Sequence, residues 1–244
     1  MAGLLSLFQK KPAPPACSAV IVAAGASSRM EGIDKMMASL GELPVLVHTL
    51  YAFQDCSAVD EIILVTREDL LVEAARLCKD FQLDKVRKVI VGGAERSQSV
   101  QAGLREVRED VSLIAIHDGA RPLVPQAVIA QAVEQAAKTG AAAPAAPLTD
   151  TIKRGEKGLA VETVDRSALW AVQTPQVFEA GLIRAALKKA LEDGAAITDD
   201  CAAVERLGMK VVLTPGSREN LKITTPLDLI LGEAILTARA KGEL

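Results

Sequence analysis

Short apolar runs at residues 19–22, 62–65, 89–91, 113–116 and 211–213 recur along the chain, separated by stretches of helical periodicity. Runs of this length without polar alternation read as strands buried on both faces. The stretches between them fit helices: 45–53 carries Leu46, Leu50 and Phe53, and 127–137 and 182–191 repeat apolar residues at helical spacing. Such alternation implies βαβ units, and so an α/β fold with a largely parallel sheet and helices on both faces. Strand-to-helix loops then gather on the carboxyl edge of the sheet, where ligands bind in open α/β folds.

One region breaks the rhythm. Residues 150–154, the turn-like Gly155-Glu156-Lys157-Gly158 and residues 159–164 read as two short strands joined by a loop. A hairpin inside a βαβ chain has no obvious place in the sheet, so 148–171 is expected to project as a β-arm. The Ala-rich stretch 140–147 reads as a tightly packed strand, because it lacks the polar partners of a flexible tether. At 244 residues, the chain divides into a disordered N-terminal lead-in, 1–17, and a single domain, 18–244.

A net charge of −3 and the lack of a long basic run argue against nucleic-acid binding. Cys17, Cys56, Cys78 and Cys201 lie far apart without zinc-ligand spacing and read as reduced thiols. No stretch approaches the ~20 apolar residues of a membrane span. The expectation is a cytoplasmic protein.

Chemistry concentrates in three clusters, each just past an apolar run. Ala23-Ala24-Gly25-Ala26-Ser27-Ser28-Arg29-Met30, with Lys35 beyond it, joins a small-residue turn to two cations. Such a turn lets a polyanion approach backbone N–H groups while Arg and Lys neutralise it. The turn alone is equally the mark of a tight connection, and both the P-loop and the dinucleotide GxGxxG patterns are missing. Gly92-Gly93-Ala94-Glu95-Arg96-Ser97-Gln98-Ser99 opens a helix. Its glycines admit a flat base or ribose with Ser99 as a hydrogen-bonding partner; the plain alternative is a turn capped by Ser97. In His117-Asp118-Gly119-Ala120-Arg121-Pro122, Asp118 suits a ribose hydroxyl or a metal ion and Arg121 a phosphate, or the two form a structural ion pair.

Together with Asp150-Thr151, Thr163-Val164-Asp165-Arg166, Gln173-Thr174-Pro175-Gln176, Thr198-Asp199-Asp200 and Asn220-Leu221-Lys222-Ile223-Thr224, these clusters resemble the 2-C-methyl-D-erythritol 4-phosphate cytidylyltransferases of the non-mevalonate isoprenoid pathway. The resemblance runs from about Ser18 to the C-terminus. It implies a Rossmann-like nucleotidyltransferase fold and transfer of CMP from CTP to the polyol phosphate, releasing pyrophosphate. It further implies that Ala23, Ala24, Gly25, Gly93 and Ser99 hold the nucleotide, with Arg29, Lys35 and Lys222 as catalytic cations. Asp118, Arg121, Thr151, Arg166, Thr174 and Thr198 would surround the acceptor and the α-phosphate. A magnesium ion would bridge the CTP phosphates, and the arm would reach into a partner's site to make a homodimer. The match departs at Ser27, Asp34, Met36, Ala94 and Asp200, where the family favours other residues.

The phosphate nucleophile is already ionised near neutral pH, so no general base is required. Positioning and charge cancellation carry the reaction. Ribitol-5-phosphate cytidylyltransferases share the same motifs and form one alternative. A nucleotide-binding regulatory module without turnover forms another.

Overall fold

The computed structural model describes residues 16–25, 30, 32 and 34–244. In chain order the strands are β1 (Cys17–Val22), β2 (Ser39–Leu40), β3 (Leu43–Pro44), β4 (Glu61–Thr66), β5 (Val86–Val91), β6 (Leu113–Asp118), β7 (Ala141–Pro147), β8 (Ile152–Glu156), β9 (Leu159–Val164), β10 (Trp170–Val172), β11 (Gln176–Glu179) and β12 (Val212–Pro215). The helices are α1 (Val45–Gln54), α2 (Leu71–Asp80), α3 (Arg96–Glu106), α4 (Gln126–Thr139), α5 (Ala180–Glu192), α6 (Asp200–Glu205) and α7 (Pro226–Lys241).

The apolar runs become the central strands, and their side chains alternate between two cores. Ala19, Ile21, Ile62, Leu64, Leu113 and Ala115 face one side with Leu46, Leu50 and Phe53 of α1 and Ile129 and Ala132 of α4. Val20, Ile63, Val65, Ile114 and Ile116 face the other with Val100 and Leu104 of α3 and Ile183 and Leu187 of α5. Period-two alternation with both faces apolar is what a sheet sandwiched between helices requires. Gly103 lets α3 press onto this sheet, since a Cβ there would stand 2.4 Å from Val20 Cγ1.

The eight-stranded sheet runs β10-β7-β11-β6-β1-β4-β5, with β12 also paired to β7. β1 is parallel to β4 and β6, and β4 to β5, so their carboxyl ends share one edge. The chain builds outward from β1 through β4 to β5, then returns to the other side of β1 with β6. That reversal opens a crevice beyond Val22 and Asp118, which are register partners.

Two boundaries differ from the sequence reading. Cys17 belongs to β1 and is fully buried, so the domain begins inside the stretch assigned to the lead-in; residues 1–15 lie outside those described. Trp170 and Ala171, assigned to the arm, pair with Pro147 and Ala146 in the main sheet. The hairpin itself, β8 with β9, forms a separate two-stranded sheet. Neither β10 nor the antiparallel β11 was legible as a strand. They are short, and their pairing to β7 comes from residues about thirty positions away.

Candidate active site

The crevice widens into an open cleft of about 450 Å³, walled by the ends of β1, β5 and β6 and by the segment before α7. Of the residues singled out in the sequence, Ala24, Gly25, Lys35, Gly93, Ser99, Asp118 and Lys222 line it.

At the β1 wall, Ala23 N–H donates to the Val65 carbonyl at 2.7 Å, which turns the chain out of the sheet. Ala23 is buried and serves as the hinge of the turn behind the cleft. The Lys35 ammonium lies 3.9 Å from where a Cβ on Gly25 would stand, so this cation overhangs the small-residue turn. Arg29 lies outside the described residues.

At the β5 wall, Gly92 N–H donates to the Thr66 carbonyl at 2.8 Å. A Cβ on Gly92 would meet Ser99 Oγ at 2.5 Å and Ala24 Cβ at 2.7 Å, so this loop packs flat against the β1 turn. Glu95, not Ser97, caps α3, in a reciprocal capping box with Gln98. The Ser99 hydroxyl accepts from Gly93 N–H at 3.1 Å and reaches the Glu95 carbonyl at 3.1 Å. It braces the loop, while the first turn of α3 presents its N-terminal end to the cleft.

Asp118 forms the β6 wall and gathers cations around it. Lys222 Nζ stands 2.8 Å from its Oδ2, Arg96 Nε 3.3 Å from Oδ1, and Arg121 Nε 3.7 Å from Oδ2. Burial alone would raise the Asp118 carboxyl. Lys222, Arg96 and Arg121 outweigh it and hold the group well below the usual carboxylate range. Arg96 also reaches the buried Asp200 at 2.8 Å, so one guanidinium bridges two carboxylates.

The backbone under Asp118 is fixed by a polar relay. Asp118 N–H donates to Thr174 Oγ1 at 3.1 Å, Thr174 Oγ1 lies 3.0 Å from His117 Nδ1, and His117 Nε2 lies 3.2 Å from the Arg121 carbonyl. A carbonyl only accepts, so Nε2 carries the proton and Nδ1 accepts from the threonine hydroxyl. Burial pushes the His117 pKa down to about 3, which keeps this imidazole neutral. Thr174 therefore spends its hydroxyl on the β6 terminus and is 4% exposed.

Arg121 likewise turns inward, donating from Nη1 to the Asn220 carbonyl at 2.6 Å. Asn220 donates to the Thr174 carbonyl at 2.9 Å, and Ile223 N–H to the Ala120 carbonyl at 2.7 Å. These bonds bracket Lys222 and deliver it to Asp118. Thr151, Arg166 and Thr198 are exposed and do not line the cleft; Arg166 donates to the Thr149 carbonyl within the arm. Arg67, Arg96 and Asp200 were not picked as site residues. Arg96 stands inside the glycine-rich run and Asp200 inside the Thr198-Asp199-Asp200 motif, whereas nothing local marks Arg67; Arg67 and Asp200 join the site through partners distant in sequence.

No three His, Cys, Asp or Glu side chains converge as a metal cage among the described residues. The carboxylates on the cleft wall are Asp118, Glu68 and Glu95, which do not gather into such a cage. That suits a magnesium ion carried mostly by phosphate oxygens, the usual mode for Mg²⁺ in nucleotide sites.

Residues 17–238 match the family model of 2-C-methyl-D-erythritol 4-phosphate cytidylyltransferase, IspD. The chain is similar to the enzyme of that description from Alkaliphilus metalliredigens, 44% identical over 228 residues that cover 92% of this chain and 94% of the relative. It is similar as well to that from Caldanaerobacter subterraneus, at 45% over 222 residues, covering 90% and 98%. Among solved structures, the Thermus thermophilus cytidylyltransferase superposes with a TM-score of 0.76 at 32% identity, covering 91% and 99% of the two chains. The 4-diphosphocytidyl-2C-methyl-D-erythritol synthase of Anaerococcus prevotii gives 0.81 at 28% identity, covering 92% and 97%. With its cleft at the β1/β6 crossover and this match along nearly its whole length, the chain belongs to the 2-C-methyl-D-erythritol 4-phosphate cytidylyltransferase family.

Proposed function

We propose that the cleft binds CTP and that the cations around Asp118 carry the transfer of CMP. The chain is a cytidylyltransferase that converts CTP and 2-C-methyl-D-erythritol 4-phosphate into 4-diphosphocytidyl-2-C-methyl-D-erythritol and pyrophosphate. The observation that carries the site reading is the meeting of Lys222, Arg96 and Asp118 at the strand-order reversal.

A phosphate oxygen of the acceptor attacks the α-phosphorus in line, the bond to the bridging oxygen breaks, and pyrophosphate departs. Two anions must meet, so the chain has to cancel charge where it builds up. Lys222 and Arg96 stand on either side of Asp118, which orients them and offers its carboxylate to the ribose. The N-terminal end of α3 and the turn at Ala24 and Gly25 offer backbone N–H groups to the nucleotide, and Lys35 meets the outer phosphates, a role that the family resemblance extends to Arg29. His117, neutral and fully hydrogen-bonded, takes no part as a base. A magnesium ion on the phosphates would add charge neutralisation and hold the leaving group in line.

The arm is the part that works in a pair. Arg166 and Thr151 stand exposed on it, and Leu159 and Val161 are 71% and 52% exposed. That composition supports a homodimer in which each arm carries its polar residues to the partner's acceptor site. The four cysteines are free thiols, which supports a reducing, cytoplasmic setting. Pyrophosphate release with methylerythritol phosphate against ribitol phosphate, across the four nucleoside triphosphates, tests the reading. Turnover confined to CTP and methylerythritol phosphate is expected; preference for ribitol phosphate, or CTP binding without release, overturns it.

A further inference from the structure

Arg67 lines the mouth of the cleft from the turn after β4, with its guanidinium on two carboxylates. Nε and Nη2 donate to Asp69 Oδ1 and Oδ2, each at 3.0 Å, and Nη2 also donates to Asp34 Oδ2. The bond to Asp69 is local and orients the arginine. The bond to Asp34 spans 33 positions and ties two loops together across the cleft mouth.

Asp34 immediately precedes Lys35, and its other oxygen caps the turn that bears that lysine. Asp34 Oδ1 accepts from Met36 N–H at 2.8 Å and from Met37 N–H at 3.4 Å, and the Asp34 carbonyl accepts from Ala38 N–H at 2.8 Å. On the far side Met36 is buried, and its carbonyl accepts from Leu46 N–H at 3.0 Å. The turn therefore has two anchors: Met36 in the core, and Asp34 held by Arg67. Lysine is a point charge on a long flexible stem, so its worth to a bound phosphate depends on how well its backbone is fixed.

We propose that Arg67 is a positioning residue for the transfer, acting through Asp34 to fix the turn that brings the Lys35 ammonium to the triphosphate. The inference rests on the reading of Lys35 as a phosphate ligand. Side-chain exposures of 25% on both partners keep this pair out of the class of fully solvated ion pairs, which contribute little. Arg67 forks onto Asp69 through Nε and Nη2 while Nη2 also reaches Asp34, an arrangement that lysine in place of arginine reproduces only in part.

The test is a cycle of Arg67→Met and Lys35→Ala, with Arg67→Lys as the conservative variant and melting temperatures to check folding. Arg67→Met is expected to raise the KM for CTP about tenfold, the scale of one charge-assisted hydrogen bond, with the KM for methylerythritol phosphate unchanged. In the Lys35→Ala background the same substitution should cost less than about twofold, because the lysine it positions is gone. Arg67→Lys should restore part of the loss. Equal losses in both backgrounds, or no loss in the native one, overturn the inference while leaving Lys35 as a ligand. If Lys35→Ala itself leaves the KM for CTP unchanged, the reading of Lys35 falls and the inference falls with it.

Discussion

In the cleft, every functional side chain around Asp118 is held by the chain's own structure: Lys222 and Arg96 by the carboxylate, Arg121 by the Asn220 carbonyl, His117 by two partners. On the arm, Thr151 and Arg166 stand in solvent at the base of two strands, β8 and β9, that pair with each other, and Arg166 bonds the Thr149 carbonyl beside it. An isolated two-stranded ribbon is marginal in water. The contrast separates a site that one chain organises by itself from residues whose proposed task depends on a second surface covering them.

The sharpest way to break that contrast is at Lys222. Lys222→Ala should lower turnover at least about a hundredfold, the scale of a preorganised electrostatic contact, with the melting temperature preserved. Near-normal turnover in the purified variant would remove it from the reaction centre. Next in size, Arg166→Ala should raise the KM for methylerythritol phosphate about tenfold or more, the loss expected for one charge-assisted contact to phosphate. An effect confined to the KM for CTP would place Arg166 elsewhere. Replacing both Leu159 and Val161 by Glu should weaken self-association, read by sedimentation across micromolar concentrations. An unchanged dimer, or a native protein that sediments as a monomer, would sink the role given to the arm.

A last test lies under the cleft. The folded His117 imidazole has its pKa depressed to about 3, while in the unfolded chain it titrates near the ordinary imidazole value of 6.5. Between those values the unfolded state binds the extra proton. The contribution of His117 to stability is therefore intact above pH 6.5 and declines as pH falls toward 3. Imidazole NMR shifts at pH 5 should show His117 neutral; a protonated signature there would break the relay drawn through Thr174.

Much of this arrangement was legible from residue patterns. The core strands followed from apolar runs, and the clusters at Gly25, Gly93 and Asp118 followed from polar and small residues placed just beyond them. What stayed hidden was set by distance. Thr174 looked like a substrate ligand, because nothing beside it in sequence shows that its hydroxyl belongs to Asp118 N–H and His117 Nδ1. Ser99 looked like a base contact, yet its nearest demand was an unsatisfied N–H on Gly93. Arg67 carried no local mark at all, and the motif around Asp200 did not show that its partner is Arg96.

The sequence by itself determined which segments could be strands, which turns sat at their carboxyl ends, and which family the motifs resembled, because periodicity and small-residue turns are local properties. Only the tertiary structure decided which cation answers which carboxylate. Ion pairs and hydrogen bonds are satisfied by whatever group the fold brings within about 3 Å, and in this chain those groups come from β6, α3 and the segment before α7.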